Sequence, residues 1–206
     1  MPRLLELFSG TGSIGRAFRR HGWEVVSIDN DPKAGATLCA DLMTFDYRSL
    51  GGSFDCVWAS PPCTHYSIAR SNAMTPRDLV GADALVGRAL EVIRHFQPSS
   101  WFLENPQSGL LKGRAAVVGL PHVDVDYCSY GWPYRKRTRL WTNCADFAWA
   151  PLCRQYCAGS ENGRHKQWAQ KAGKGSAGCF TTRQLYAMPP LLCEDIFTAT
   201  RRRALG

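Results

Sequence analysis

Short apolar runs separated by stretches of helical spacing mark out the first 143 residues. Arg3 to Phe8 is an apolar, β-prone run, Ser13 to His21 has helical spacing, Glu24 to Ile28 predicts a second strand, and Thr37 to Asp41 a short third one. Phe54-Asp55-Cys56-Val57-Trp58-Ala59 predicts a fourth strand ending at Ser60, because Pro61 and Pro62 stop it and stiffen the turn. From Pro76 to Gln97, Leu79, Val86, Ala89, Leu90, Ile93 and Phe96 recur at helical spacing, with Thr75 read as the N-cap and Pro76 in the first turn. Trp101-Phe102-Leu103, His122 to Cys128 and Thr138 to Thr142 predict strands five to seven. This order argues for an α/β fold, a doubly wound, mostly parallel sheet that binds ligands at the carboxyl ends of its strands.

The pattern breaks after Asn143. Residues 144–180 are rich in Gly, Cys, Lys, Arg and Gln without a sustained period, and predict a loop-dominated insert. Order resumes from Thr181 to Phe197, with Met188-Pro189-Pro190 opening a last short helix and Arg201-Arg202-Arg203 as a mobile tail. Three parts follow: a catalytic unit at 1–143, the insert at 144–180, and a closing segment at 181–206.

With 206 residues the chain suits one α/β core and at most a small appendage. Lys+Arg 25 against Asp+Glu 17 leaves a formal charge of +8, which favours a polyanionic partner. No apolar run is long enough to span a bilayer, and Met1-Pro2-Arg3 leads straight into a strand, so a soluble, intracellular protein without a membrane partner is expected. Nine scattered cysteines suit free thiols in a reducing compartment.

Gly10-Thr11-Gly12-Ser13-Ile14-Gly15 matches a G-x-G-x-x-G loop between strand and helix, where glycines allow a tight turn and close approach of a ligand. Asp29 and Asp31 after the second strand could accept hydrogen bonds from ribose hydroxyls, and Asp41 could reach an adenine amino group. An adenosine-containing cofactor fits, either NAD or S-adenosylmethionine. Cys63 after the Pro-Pro turn and Glu104 after strand five supply a nucleophile and an acid, both at strand ends.

Leu5-Glu6-Leu7-Phe8-Ser9-Gly10-Thr11-Gly12, Ser60-Pro61-Pro62-Cys63 and Phe102-Leu103-Glu104-Asn105-Pro106 occur in the order and spacing of the cytosine-C5 DNA methyltransferases. The chain resembles that family, and most of all its short, phage-type members. Tyr130 to Arg139 resembles the family's basic motif, which ends in two arginines one residue apart, here Arg137 and Arg139, and Tyr186-Ala187-Met188-Pro189-Pro190-Leu191 resembles the segment that closes the cofactor site. Thr64, Pro106 and the Tyr186-Ala187 pair depart from the usual residues, and the long recognition domain of typical members is reduced to the insert.

The resemblance implies a Rossmann-like fold, S-adenosylmethionine as cofactor and DNA as partner, with Phe8, Gly10, Gly12, Asp29, Asp41 and Pro61 around the cofactor. Cys63 would add to C6 of a flipped cytosine, Glu104 would assist at N3, and Arg137 and Arg139 would hold the nucleotide. A monomer is expected, in the cytoplasm of a bacterium or virus-infected host, or in a eukaryotic nucleus. A tRNA cytosine-C5 methyltransferase and a catalytically silent DNA-binding regulator are the alternatives.

The insert's Cys153, Cys157 and His165, with Cys144 upstream as a possible fourth ligand, suit a structural zinc, because so little apolar material needs another source of order. Arg164, Lys166, Lys171 and Lys174 should track the DNA backbone, giving steep salt dependence and a recognition site of about two to four base pairs.

Overall fold

The computed structural model describes residues 1–68, 74–169 and 180–205. Lys171 and Lys174 lie outside them. The strands are β1 (Arg3–Leu7), β2 (Glu24–Asp29), β3 (Leu38–Cys39), β4 (Cys56–Ala59), β5 (Ser100–Pro106), β6 (His122–Asp126), β7 (Tyr134–Arg135), β8 (Arg137–Thr142), β9 (Ser160–Glu161), β10 (Arg164–His165) and β11 (Gln167–Trp168). The helices are α1 (Ser13–Arg20), α2 (Leu79–Phe96), α3 (Thr182–Tyr186) and α4 (Pro190–Leu205). Seven strands form one sheet in the order β3-β2-β1-β4-β5-β8-β6; all neighbours run parallel except β8, which is antiparallel to both β5 and β6.

Period-two alternation sends the strands' apolar side chains into two cores. Leu4, Cys56, Trp58, Phe102 and Leu140 pack with α1 and α4, through Ile14, Phe18, Leu192, Ile196 and Phe197. Leu5, Leu7, Val57, Leu103 and Trp141 pack on the other face with α2, through Val86, Ala89 and Ile93. Central strands covered on both faces read as continuous apolar runs, which explains why β1 and β4 are so plain in the sequence.

Two expectations change. The second helix starts at Leu79, not Pro76: the Asp78 side chain accepts from the Gly81 N–H at 2.8 Å, and its own N–H donates to His65 Nδ1 at 2.9 Å. A tertiary contact thus fixes the cap three residues after Thr75. The final helix is not short and the triple arginine is not a loose tail. α4 runs through Arg201, Arg202 and Arg203, with Arg202 over the Phe147 ring at 5.1 Å, because Leu192, Cys193, Ile196, Phe197 and Ala199 anchor it in the α1 core. Among the described residues no helix is long and apolar enough to cross a membrane.

Candidate active site

The loop after β1 and the turn after β4 open onto one cavity of about 510 Å³, within the range of small-molecule sites. In the loop after β1, Gly10 and Gly12 have φ of 49° and 65°, conformations that glycine adopts without penalty. Phe8 also sits at φ 56°, a strained backbone for an aromatic residue. Gly15 begins the packing of α1 on β1: its N–H donates to Glu6 Oε1 at 3.1 Å, and a Cβ there would collide with Glu6 Oε2. Asp29 accepts from the N–H groups of Gly10 at 2.7 Å and Asp31 at 2.8 Å, so it braces the loop as well as facing the cavity.

Phe8, Gly10, Asp29 and Pro61 all line the cavity, as do Tyr186 and Met188 from the closing segment. Gly12 does not line it; it is the left-handed N-cap of α1. Asp41 lines a separate small cavity behind Phe8 and Asp29, and its carboxylate accepts from the Met43 N–H. Glu6 was not singled out by sequence, yet it lines the cavity fully buried, with Oε2 unpartnered. A buried carboxyl oxygen without a partner, on a residue that lines the cavity, fits a ligand with donor groups, such as the amino-acid end of S-adenosylmethionine.

Burial pushes the Glu6 carboxyl from 4.5 up to about 7, with the Gly15 N–H and Arg19 and Arg16 pulling the other way. The folded state therefore holds this proton more tightly than the unfolded chain. The contribution is fully present below about pH 4.5 and is lost as pH rises through about 7, an effect of about 3 kcal/mol. Urea unfolding should show Glu6→Gln gaining on the parent by about 2 to 3 kcal/mol between pH 5 and pH 8; parallel pH profiles would refute it.

Cys63 and Glu104 line the same cavity. Cys63 opens a turn whose carbonyl accepts from the N–H groups of Tyr66 and Ser67, and Asn105 Nδ2 donates to the Pro61 carbonyl at 2.9 Å, tying the end of β5 to the Pro-Pro turn. Burial raises the Glu104 carboxyl, against the lowering effects of Lys136 and of a hydrogen bond with Ser60, and Glu104 Oε1 is buried without a partner. Burial and the nearby Glu104 raise the Cys63 thiol, while Lys136 lowers it. A protonated Glu104 has no charge to oppose the thiolate, so acid and nucleophile are compatible in one site.

Lys136 is the cation that sequence reading passed over. It lines the cavity, donates to the Leu185 carbonyl at 3.3 Å and lies 4.9 Å from the Tyr127 ring centroid. Arg137 and Arg139 share a face of β8, as alternation requires, but the structure turns them away from the cavity. Glu104 pairs directly with Leu140, one residue out of phase with both arginines, so they lie on opposite faces of the sheet. Each forms a two-bond pair across to β6: Arg137 with Asp126 at 3.0 and 2.8 Å, Arg139 with Asp124 at 2.7 and 3.0 Å. Their expected hold on the nucleotide is corrected to a brace between two strands, because cross-strand carboxylates satisfy them.

Cys153, Cys157 and His165 come together, and their fourth neighbour is Cys128, in the turn after β6, rather than Cys144. The four ligand atoms lie within 4.8 Å of one another. Cys144 is buried in the α1–α4 core instead, where Trp149 Nε1 donates to its carbonyl at 3.2 Å. In the insert, Lys166 pairs with Glu161 at 3.4 Å and Arg164 is exposed on β10.

A family model described as C-5 cytosine-specific DNA methylase matches residues 2–115, which hold the loop after β1, Cys63 and Glu104. The chain is 35% identical over 221 residues to the "Probable DNA (cytosine-5)-methyltransferase" of Frog virus 3, covering 94% of this chain and 98% of that protein. Among solved structures, a candidate DNA modification methyltransferase encoded within a prophage (E. coli) superposes with a TM-score of 0.52 at 16% identity, over 69% of this chain and 46% of its own. The Entamoeba histolytica methyltransferase EhMeth gives 0.50 at 15% identity, over 74% and 56%. The chain thus spans about half the length of these two structures, and the likeness shows the shared α/β fold.

Proposed function

Because the chain belongs to the C-5 cytosine-specific DNA methylase family, we propose that this cavity is where cytosine and cofactor meet, with Cys63 as nucleophile, Glu104 as acid and Lys136 as the cation that favours the thiolate. The activity is S-adenosylmethionine-dependent methylation of cytosine C5 in DNA. The observation that carries the assignment of residues is the single cavity shared by the Gly10 loop, Cys63 and Glu104.

S-adenosylmethionine supplies an electrophilic methyl group on a sulfonium centre. Gly10 offers backbone room for it, Glu6 a buried acceptor, and Asp29, with Asp31 beside it, the carboxylates for ribose hydroxyls. C5 of cytosine is a weak nucleophile. The lone pair of the Cys63 thiolate forms a bond to C6 as the C5–C6 π bond breaks and its electron pair moves towards C5, while Glu104 donates a proton at N3 to neutralise the charge that develops on the ring. The C5 electron pair forms the bond to the methyl carbon as the carbon–sulfur bond of the sulfonium breaks and leaves a neutral thioether. C5 then loses its hydrogen as a proton to solvent, that electron pair re-forms the C5–C6 double bond, and N3 returns its proton to Glu104. The bond from C6 to sulfur breaks in the same elimination and Cys63 leaves as thiolate. A ring stacked in duplex DNA cannot reach Cys63, so the nucleotide is flipped into the cavity.

The division into a catalytic unit at 1–143, a reduced recognition insert at 144–180 and a closing segment at 181–206 is supported by Tyr186 and Met188 at the cavity wall. The relation to short, phage-type members belongs to the same reading: a viral relative aligned over 98% of its length is equally compact. A structural zinc in the insert would take no part in the chemistry.

The reading is tested by incubating the full chain with methyl-labelled S-adenosylmethionine and either duplex DNA or tRNA. Label is expected in 5-methylcytosine of the duplex. Label confined to tRNA would overturn the assignment of substrate.

A further inference from the structure

We propose that Cys128, Cys153, Cys157 and His165 bind one zinc ion, a structural centre that staples the insert to the strand end carrying Asp126 and so holds the Asp126–Arg137 brace beside the cavity. The inference rests on this cluster and its surroundings, and stands whatever the substrate.

Ligand type and geometry agree with zinc. Three thiols and one imidazole form a Cys₃His set, and a tetrahedral zinc with ordinary bond lengths separates sulfur from sulfur by about 3.8 Å and sulfur from nitrogen by about 3.6 Å. His165 Nε2 lies 3.6 Å from Cys153 Sγ and 3.2 Å from Cys157 Sγ, and all four ligand atoms fall within 4.8 Å of one another. All four cysteines considered, Cys128, Cys144, Cys153 and Cys157, are free thiols. The Gln155 N–H donates to Cys153 Sγ at 3.2 Å, with Gln155 at φ 70°, so the backbone is bent to support a sulfur ligand.

The energetics point the same way. No residue from 151 to 168 is buried, although this segment makes the β9–β10 hairpin and pairs β11 with β7. Hydrophobic burial does little to order eighteen residues of which none is fully buried. Cys128, in contrast, is buried in the turn that follows β6. A metal shared by Cys128 and the three insert ligands joins the segment without a core to the part that has one, which is how structural zinc contributes folding energy.

The centre also reaches towards the site. The Cys153 N–H donates at 3.0 Å to Asp126 Oδ2, the same oxygen that accepts from Arg137 Nη2 at 2.8 Å. Asp126 is fully buried, and Arg137 follows directly on Lys136. Fixing Cys153 on the metal therefore fixes a buried carboxylate, then the guanidinium that holds the start of β8, next to the lysine facing Cys63. In this scheme Asp126 and Arg137 are positioning residues.

Elemental analysis of the purified full chain tests the proposal. Stoichiometric zinc is expected, and exchange for cobalt should produce the intense visible bands and sulfur-to-metal charge transfer of a tetrahedral thiolate site. Cys128→Ser should lose the stoichiometric zinc, whereas Cys144→Ser should keep it. If Cys128→Ser does not fold, His165→Asn, at the half-exposed side of the cluster, should lose zinc while the circular dichroism of the sheet and helices is retained. Stripping the metal should speed proteolysis within 151–168 and leave S-adenosylmethionine binding unchanged, since Glu6, Gly10 and Asp29 lie on other elements. A folded parent chain that carries no zinc and takes up no cobalt would overturn the centre, as would zinc lost from Cys144→Ser but kept in Cys128→Ser. Metal content is read without methylation, so its failure is separate from failure of the proposed active site.

Discussion

Cys63→Ser should lower turnover on duplex DNA by on the order of 10⁴-fold or more, the scale seen when a covalent nucleophile is removed, and should leave no trapped complex with DNA carrying 5-fluorocytosine. The parent enzyme should be trapped, because once C5 carries fluorine and methyl it has no proton to lose, and the bond from Cys63 to C6 cannot be eliminated. Serine fails in this role since an alkoxide is scarcely available near neutral pH, whereas a thiol is within reach of its thiolate. Burial and Glu104 push the Cys63 thiol up, and Lys136 is the group pulling it down. Lys136→Met should therefore move the rising, thiolate-dependent limb of kcat/KM to higher pH. Cofactor affinity, measured by calorimetry, should not change in Cys63→Ser, because Cys63 belongs to the turn after β4 and not to the Gly10 loop after β1. An adduct of equal abundance with the serine variant would remove Cys63 from the mechanism.

Glu104→Gln should cost about 10²- to 10⁴-fold in kcat, the usual contribution of a positioned acid, with S-adenosylmethionine binding intact. The carboxyl is raised chiefly by burial, and its Oε1 has no partner. Burial thereby favours its protonated form, the donor needed opposite N3 of cytosine. Activity that depends on the protonated carboxyl falls as pH rises through its folded pKa, so the parent should show a falling limb of kcat/KM. Glutamine can still donate an N–H but cannot deliver or regain a proton, so that limb should vanish in the variant. A variant with parental kcat and an unchanged pH profile would make Glu104 a packing residue only. The position is sensitive because β5 presents Glu104 to one face and Asn105 to the other: Asn105 ties the Pro-Pro turn, and Glu104 lines the cavity proposed to take the cytosine.

Much of this was legible along the chain. Strands β1, β2 and β4 were plain because they are buried on both faces, and the glycine loop and the Pro-Pro-Cys turn were plain because glycine and proline leave local marks in any context. Glu6 was not, since its meaning depends on a buried carboxyl oxygen left unpaired by the close packing of Gly15. The start of α2 is not legible locally, because its cap depends on His65, brought alongside Asp78 by the turn after β4. The length of α4 was underestimated because its support comes from α1, at the other end of the chain.

What the sequence determined by itself was the order of the seven strands of the main sheet, the family-like motifs and Cys63 and Glu104 as candidates, each written in residues close together whose backbone preferences act locally. What only the tertiary structure decided was which side chains meet. Arg137, Arg139 and Lys136 are neighbours in sequence, yet β8 pairs antiparallel between β5 and β6, which places both arginines on Asp124 and Asp126 and leaves Lys136 facing the cavity. Cys144 is nearer to Cys153 in sequence than Cys128 is, but Cys144 folds into the α1–α4 core and Cys128 stands in the turn beside the insert. Register and burial are set by pairings between distant segments, and no local propensity encodes them.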